Sequence, residues 1–265
     1  MAKNVFFLLA LGALACDPNV VDAVCEPPAS PPLSPLQSSL IHRYSFDGDN
    51  REVLDTKGAA HGQLQGTLLP GTGQLPLAGE RSGQYVNLPN GIVSGLGDAT
   101  FEAWLTWNGG DGWQRIFDFG SSSSGEDAAG DTGTSYLYLT PASLPESDSM
   151  PASVLHVGYS QGGKRDEDVC NGPGPLPTGI ETHVAVVIER AAQRMALFQD
   201  GTLLADCTLG RPLSAIKDVN NWLGHSNFVA DVDLSATFDE FRIYDAALSE
   251  SELVASATAG PDADR

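Results

Sequence analysis

Carboxylates are the groups most able to do chemistry in this chain, with 34 Asp and Glu against 14 Lys and Arg for a net charge of −20. Hydrolysis of a glycosidic bond takes two of them aimed at one bond, and on a strand that means alternate positions, which share a face. No stretch meets this requirement. Glu102 has only Asp98 at matching spacing, in the Gly-containing turn before its strand, and Asp231 and Asp233 alternate with no glutamate beside them. Asp166-Glu167-Asp168 reads as a loop, and Asp239 and Glu240 are adjacent, so on a strand they face opposite ways. Serine hydrolase chemistry has no Gly-x-Ser-x-Gly, and Ser121 to Ser124 is a low-complexity run. The histidines, His42, His61, His156, His183 and His225, fall in no paired metal-binding spacing. An enzyme is therefore not expected.

Binding chemistry has better material. Sugar rings stack on aromatic faces while amides and carboxylates read their hydroxyls. Trp107, Trp113 and Trp222 each lie beside loop-type residues, and Asp111, Trp113, Asn220, Asn221 and Trp222 form a candidate ligand-binding rim. The same tryptophans would also serve a sandwich core, as Trp104 is expected to do. Calcium takes six to eight oxygens, and the loop containing Glu126, Asp127 and Asp131 offers acids for it, although such a loop is also simply well solvated.

The elements that must position these groups are short runs between Gly, Asn, Asp and Pro clusters: Leu40–Phe46, Gln84–Leu88, Thr100–Trp107, Gln114–Phe119, Ser135–Leu139, Val154–Tyr159, His183–Ile188, Met195–Gln199, Leu203–Cys207 and Phe238–Tyr244. Strands punctuated in this way predict an all-β sandwich or barrel. The unbroken apolar run Val184 to Ile188 suits a strand covered on both faces, and Asp200-Gly201 supplies the positive φ of a two-residue hairpin turn. One helix is expected after Ser249, where Ser249 and Glu252 form a capping box. The tail from Gly260 is expected to fray.

The amino end reads as an address. Lys3 precedes an apolar run from Val5 to Leu14, too short to span a bilayer but suited to a signal peptide. Ala13-Leu14-Ala15-Cys16 resembles the bacterial lipobox, which makes Cys16 the lipidation candidate, although Ala13 stands where the usual Leu would be. Ordinary signal cleavage with secretion is the alternative. The mature chain is expected to meet a membrane only through that lipid anchor. Six of the 17 prolines fall within residues 17–37, giving a semi-rigid spacer. Export to an oxidising compartment favours pairing of Cys170 with Cys207, and leaves the state of Cys25 open.

Four segments in order then resemble one family. They are Leu40 to Phe46 with Asp55 and His61-Gly62, Thr100 to Trp104, Met195 to Gly201, and Phe238-Asp239-Glu240-Phe241-Arg242-Ile243-Tyr244-Asp245-Ala246-Ala247-Leu248-Ser249. Residues 40–257 are similar to the laminin-G-like branch of the concanavalin A-like lectin/glucanase superfamily. The resemblance implies a two-sheet antiparallel jelly-roll sandwich with one short C-terminal helix. It also implies a structural calcium where the chain ends meet, at Asp47, Asp55 and Asp239 with Asp49 nearby. The family's glucanases carry Glu-x-Asp-x-(x)-Glu on one strand, which this chain lacks.

The organisation expected is thus a lipoprotein-type signal at 1–16, a Pro-rich linker at 17–37, the jelly-roll domain at 38–257 and a disordered tail at 258–265. Its expected role is non-catalytic recognition of a glycan or protein partner at the bacterial cell envelope, or in the medium if it is secreted. Nucleic acid is excluded as a partner by the net charge of −20. The alternatives are a polysaccharide hydrolase with an unrecognised site, or a structural adhesion protein without a small ligand.

Overall fold

A computed structural model describes residues 35–144 and 153–263. The signal segment with Cys16, and linker residues 17–34 with Cys25, lie outside the described residues. In chain order the strands are β1 Leu40–Tyr44, β2 Glu52–Val53, β3 Gly62–Gln65, β4 Leu75–Glu80, β5 Tyr85–Leu88, β6 Ala99–Trp107, β7 Phe117–Ser122 and β8 Gly133–Thr140. They continue as β9 His156–Ser160, β10 Glu167–Asn171, β11 Glu181–Glu189, β12 Arg194–Gln199, β13 Thr202–Thr208, β14 Asn220–Leu223 and β15 Asp233–Tyr244. A short helix α1, Pro35–Ser38, precedes them and α2, Glu250–Ala259, follows.

Two antiparallel sheets result. One runs β1-β15-β6-β11-β12-β13, with β4 also pairing β15, and the other runs β10-β9-β8-β7-β14-β5-β3-β2. Inward-facing side chains of both sheets make one core, including Phe101, Phe117, Phe119, Leu137, Val157, Leu223, Phe238 and Phe241. Phe238 and Phe241 both face inward although three residues apart. A register shift between Phe238 and Glu240 absorbs the extra residue, as a β-bulge does. The edge strands β10 and β13 are tied together by the expected disulfide, Cys170–Cys207, with Cα atoms 5.6 Å apart.

The seven-stranded sheet is covered on its outer face as well. Ala185, Val187 and Phe198 pack there with Leu36, Tyr244, Leu248 and Leu253, which explains the unbroken apolar run in β11. Helix α2 opens on the predicted capping box at Ser249 and Glu252. The chain stays tied beyond the helix, because the Pro261 carbonyl accepts hydrogen bonds from Arg43 and Arg242. Asp200 and Gly201 both take positive φ at the β12–β13 hairpin, as expected.

Two expectations need correction. Asp168 and Glu167 are not in a loop but begin β10, where the strand pairs with β9 over Glu167–Asn171. Asn220 and Asn221 are also strand residues, in β14 between β7 and β5. Polar composition hid both strands, since neither is apolar enough to read as one.

Candidate functional site

The outer face of the eight-stranded sheet carries a second small apolar cluster, Tyr136, Tyr138 and Phe228, with Trp113 packed against it. Alternation places it there: Leu137 and Leu139 of β8 point into the core, so Tyr136 and Tyr138 point out. Phe228 comes from the loop before β15 and meets Tyr136 edge-on at 5.3 Å between centroids. Trp113 sits at φ 64 in the turn before β7. That turn replaces the first residues of the expected strand Gln114–Phe119 and aims the indole at His156, 5.4 Å away.

Arg115 stands at the centre. It is only 3% exposed, yet it is charged, so its partners must replace water. Its guanidinium lies 4.0 Å from the Tyr138 ring centroid and 5.7 Å from those of Trp113 and Phe228. It donates to the Trp113 carbonyl at 2.6 Å and to Asp231 at 2.8 Å, and its Nε is 3.5 Å from Asp118. Tyr138 donates to Glu167 at 3.1 Å and its hydroxyl lies 3.1 Å from His156 Nε2. Burial raises the Glu167 pKa above the ordinary carboxylate value, and the hydroxyls of Tyr136 and Tyr138 with Arg115 and Lys164 only partly offset it. Burial likewise raises Asp118 against the lowering effect of Arg115 and Asn227. His156 is pushed down to about 4, chiefly by burial, so its imidazole is neutral near pH 7.

These groups open to solvent in a cavity of about 70 Å³ lined by Trp113, Arg115, Tyr138, Lys164, Glu167, Phe228 and Asp231. That volume admits one functional group or the edge of one sugar ring. Lys164 also lines a wider depression of about 430 Å³, while Phe228 and Asp231 also line one of about 170 Å³ that contains His225. The three depressions share these lining residues, and together they are the candidate groove.

The sequence-predicted residues divide around this groove. Trp113 is in it. Asp111 lies outside, lining a further depression with Gln114 that shares only Glu80 with the one containing His225. Asn220, Asn221 and Trp222 are not rim ligands, because all three are buried. Asn220 instead secures the acidic loop, accepting from the Asp127 N–H and donating to the Gly125 carbonyl and to Asn227. Asn221 donates to the carbonyls of Pro89 and Asp218, and Trp222 packs against Tyr85 and His225. Trp107 is buried and donates to Gln114, and Trp104 is buried beneath Arg242.

The proposed calcium ligands do not converge. Both oxygens of Asp55 are occupied, by the N–H groups of Arg43, Lys57, Gly58 and Ala60 and by His42. Asp47 accepts from Ser45 and Asp239 from Gln74. In the acidic loop Glu126 accepts from Asn90 and Asp127 from Asn87. Among the described residues no group of three or more His, Cys, Asp or Glu side chains is gathered as metal ligands would be.

Sequence reading missed Arg115, Tyr136, Tyr138, Glu167 and Phe228. Tyr136-Leu137-Tyr138 alternates, but Trp113 and Arg115 are brought beside it only by the pairing of β7 with β8 and the bonds from the Trp113 and Ile116 N–H groups to Ala142 and Leu139 just before it.

A two-sheet antiparallel jelly roll with an aromatic-lined groove on one outer face is a lectin-like architecture. Residues 80–254 match the family model of the concanavalin A-like lectin/glucanases superfamily, and the chain belongs to that superfamily. Among solved structures it is similar to domain 4 of AbnA, an extracellular arabinanase from Geobacillus stearothermophilus, in complex with arabinotriose. The TM-score is 0.59 at 18% identity, over 82% of this chain and 97% of that one. It is also similar to the CBM40 of the Ruminococcus gnavus IT-sialidase bound to α2,3-sialyllactose, with TM-score 0.53 and 14% identity over 69% and 95% of the two chains. Trypanosoma rangeli sialidase matches with TM-score 0.57 and 15% identity, over 84% of this chain and a third (33%) of that one. No curated protein matches the chain.

Proposed function

We propose that this protein is a non-catalytic glycan-recognition domain whose ligand lies in the groove beside Trp113, Arg115 and Tyr138. The observation carrying this reading is the combination in one cavity of a partly buried indole, a guanidinium held by several partners and two carboxylates. The indole offers an apolar face to a sugar ring, and the polar groups read its hydroxyls. The similar domains bound to arabinotriose and sialyllactose support the ligand class. Glu102, the carboxylate best placed on a central strand, is sealed beneath α2 with His183, Tyr244 and Ser256, so it has no access to a substrate. The proposal extends to export and to anchoring through a lipid on Cys16, which rest on the Lys3–Cys16 segment alone. Calcium is not part of it.

The test is calorimetric titration of the full chain with neutral and acidic oligosaccharides, repeated on Trp113→Ala. The expected result is saturable binding that weakens about tenfold in the variant, equivalent to about 1.4 kcal/mol. A panel without a binder overturns the reading.

A further inference from the structure

The 170 Å³ depression beyond Phe228 contains a histidine that the fold does not use up. His225 Nδ1 lies 2.6 Å from Asp233 Oδ1. The second oxygen of Asp233 accepts from the Gly83 N–H at 2.7 Å, so the carboxylate acts as acceptor on both sides. In the neutral imidazole Nδ1 therefore carries the ring proton and Nε2 holds the lone pair. Nε2 has no hydrogen-bond partner among the described residues. Tyr85 stacks flat on the imidazole, with centroids 4.4 Å apart and planes at 15°, and Trp222 closes against it at 4.7 Å. The ring is thus fixed in both tautomer and orientation. Its side chain is still 25% exposed. With Nδ1 tied to Asp233 and one face on Tyr85, the free edge is the one bearing Nε2.

The lining around that edge defines the ligand. Phe228 and Val229 supply apolar surface, and Glu80, Asp231 and Asp233 supply carboxylates. Of the nearby cations, Arg81 has its guanidinium committed to the carbonyls of Val229 and Ala230, and Arg115 pairs with Asp231, which leaves Glu80 and Asp233 uncompensated by an arginine. An anionic group would meet net negative charge. A hydroxyl would find an acceptor, and a ring with an apolar face would find a wall.

We propose that His225, held by Asp233 and Tyr85, forms a second subsite that takes an uncharged sugar unit through a hydroxyl donated to Nε2. This deepens the glycan-binding reading and rests on it. Because Phe228 and Asp231 line both this depression and the Trp113 cavity, the ligand is an oligosaccharide that bridges them. Lys164 and Arg165 line the depression that shares no residue with the one containing His225, so any acidic unit of the ligand would lie there and not at His225.

The experiment is titration of the full chain with neutral pentose and hexose trisaccharides, the matching monosaccharides, and sialyllactose. His225→Phe keeps the stack on Tyr85 and removes Nε2. The expected result is that neutral trisaccharides bind more tightly than their monosaccharides and weaken about 3- to 10-fold in His225→Phe, the worth of one hydrogen bond. In the unmutated protein the ring ¹⁵N spectrum gives the same answer without a variant, since the His225 Nε2 resonance should move on saturation with the trisaccharide. Trisaccharide binding with an unmoved resonance and an unchanged affinity in His225→Phe overturns the subsite and leaves the Trp113 cavity standing. Binding of sialyllactose alone has the same consequence. Absence of binding across the whole panel overturns both the subsite and the glycan reading.

Discussion

Arg115 lies over the Tyr138 ring with its Cζ 4.0 Å from the centroid, and the same guanidinium reaches Asp231, 116 residues further along the chain. One side chain therefore joins the outer face of the second sheet to the loop that carries Phe228. That junction adds to the other ties of the loop, the parallel bridge of Phe228 to Gly130 and the bonds from Asn227 to Asp118, and Phe228 lines two of the groove's depressions. The guanidinium's planarity matters: it stacks on a ring while donating in its own plane, which an ammonium cannot do.

Replacing Arg115 should therefore damage stability before it damages binding. Arg115→Ala leaves Asp118 and Asp231 without their cation and is expected to cost about 3–5 kcal/mol, the usual penalty for stranding a buried charge. Arg115→Lys restores the charge but not the simultaneous contacts to the Trp113 carbonyl, Asp231 and Tyr138, so it should fall between. Chemical denaturation measures both, and a loss below about 1 kcal/mol in the alanine variant would show that the loop is held some other way.

Glu167 gives the site a pH dependence. Its pKa is raised above the ordinary 4.5, first by burial, so the folded state holds its proton more tightly than the unfolded state. The associated stability is present below pH 4.5 and is lost as pH rises through the folded pKa. Glu167→Gln keeps an acceptor for Tyr138 and cannot ionise. Its stability relative to the parent should therefore improve between pH 4 and 7. Unfolding free energies that run parallel across that range would mean the carboxylate is solvated at no cost.

What the sequence made legible follows from where each residue's partners lie. The Asp200-Gly201 turn and the Ser249–Glu252 cap are settled within four residues, and both were readable. The strands with apolar alternation were readable for the same reason. Asn220 was misplaced because its burial is compensated by Gly125, Asp127 and Asn227, and nothing in its neighbours along the chain announces those bonds. The groove is harder still. Trp113 stood out as an aromatic next to glycines, whereas Arg115, Glu167 and Phe228 matter only because three loops and two strand pairings converge on Tyr138.

Asp55, one of the expected calcium ligands, accepts from four backbone N–H groups. Burial alone would raise its pKa, but the N–H groups of Gly58, Arg43 and Lys57 and the His42 side chain outweigh that and lower it below the ordinary 3.8. Asp55→Ala should cost about 3 kcal/mol by stranding these donors, equally in EDTA and in millimolar calcium. The parent should also lose stability as pH falls below about 3.8 through the folded pKa, and the variant should lose less, since a group with a depressed pKa stabilises only while ionised. A calcium-dependent melting shift that vanishes in the variant would restore the metal reading.

The disulfide is the remaining long-range restraint. Cys170 is in β10 and Cys207 in β13, so the bond closes one end of the sandwich by joining an edge of each sheet. Both partners lie against core residues, and Cys170 is fully buried. The 37-residue separation corresponds to about 3–4 kcal/mol of loop entropy removed from the unfolded chain. Cys170→Ala with Cys207→Ala should lower stability by about that amount. The groove is lined mainly by the turn before β7, by β8 and by the Phe228 loop, with Glu167 at the start of β10, while the bond is at Cys170 further along that strand, so glycan affinity should change less than threefold at temperatures where the variant is folded. Affinity falling in step with stability would show that β10, through Glu167, transmits the restraint into the groove.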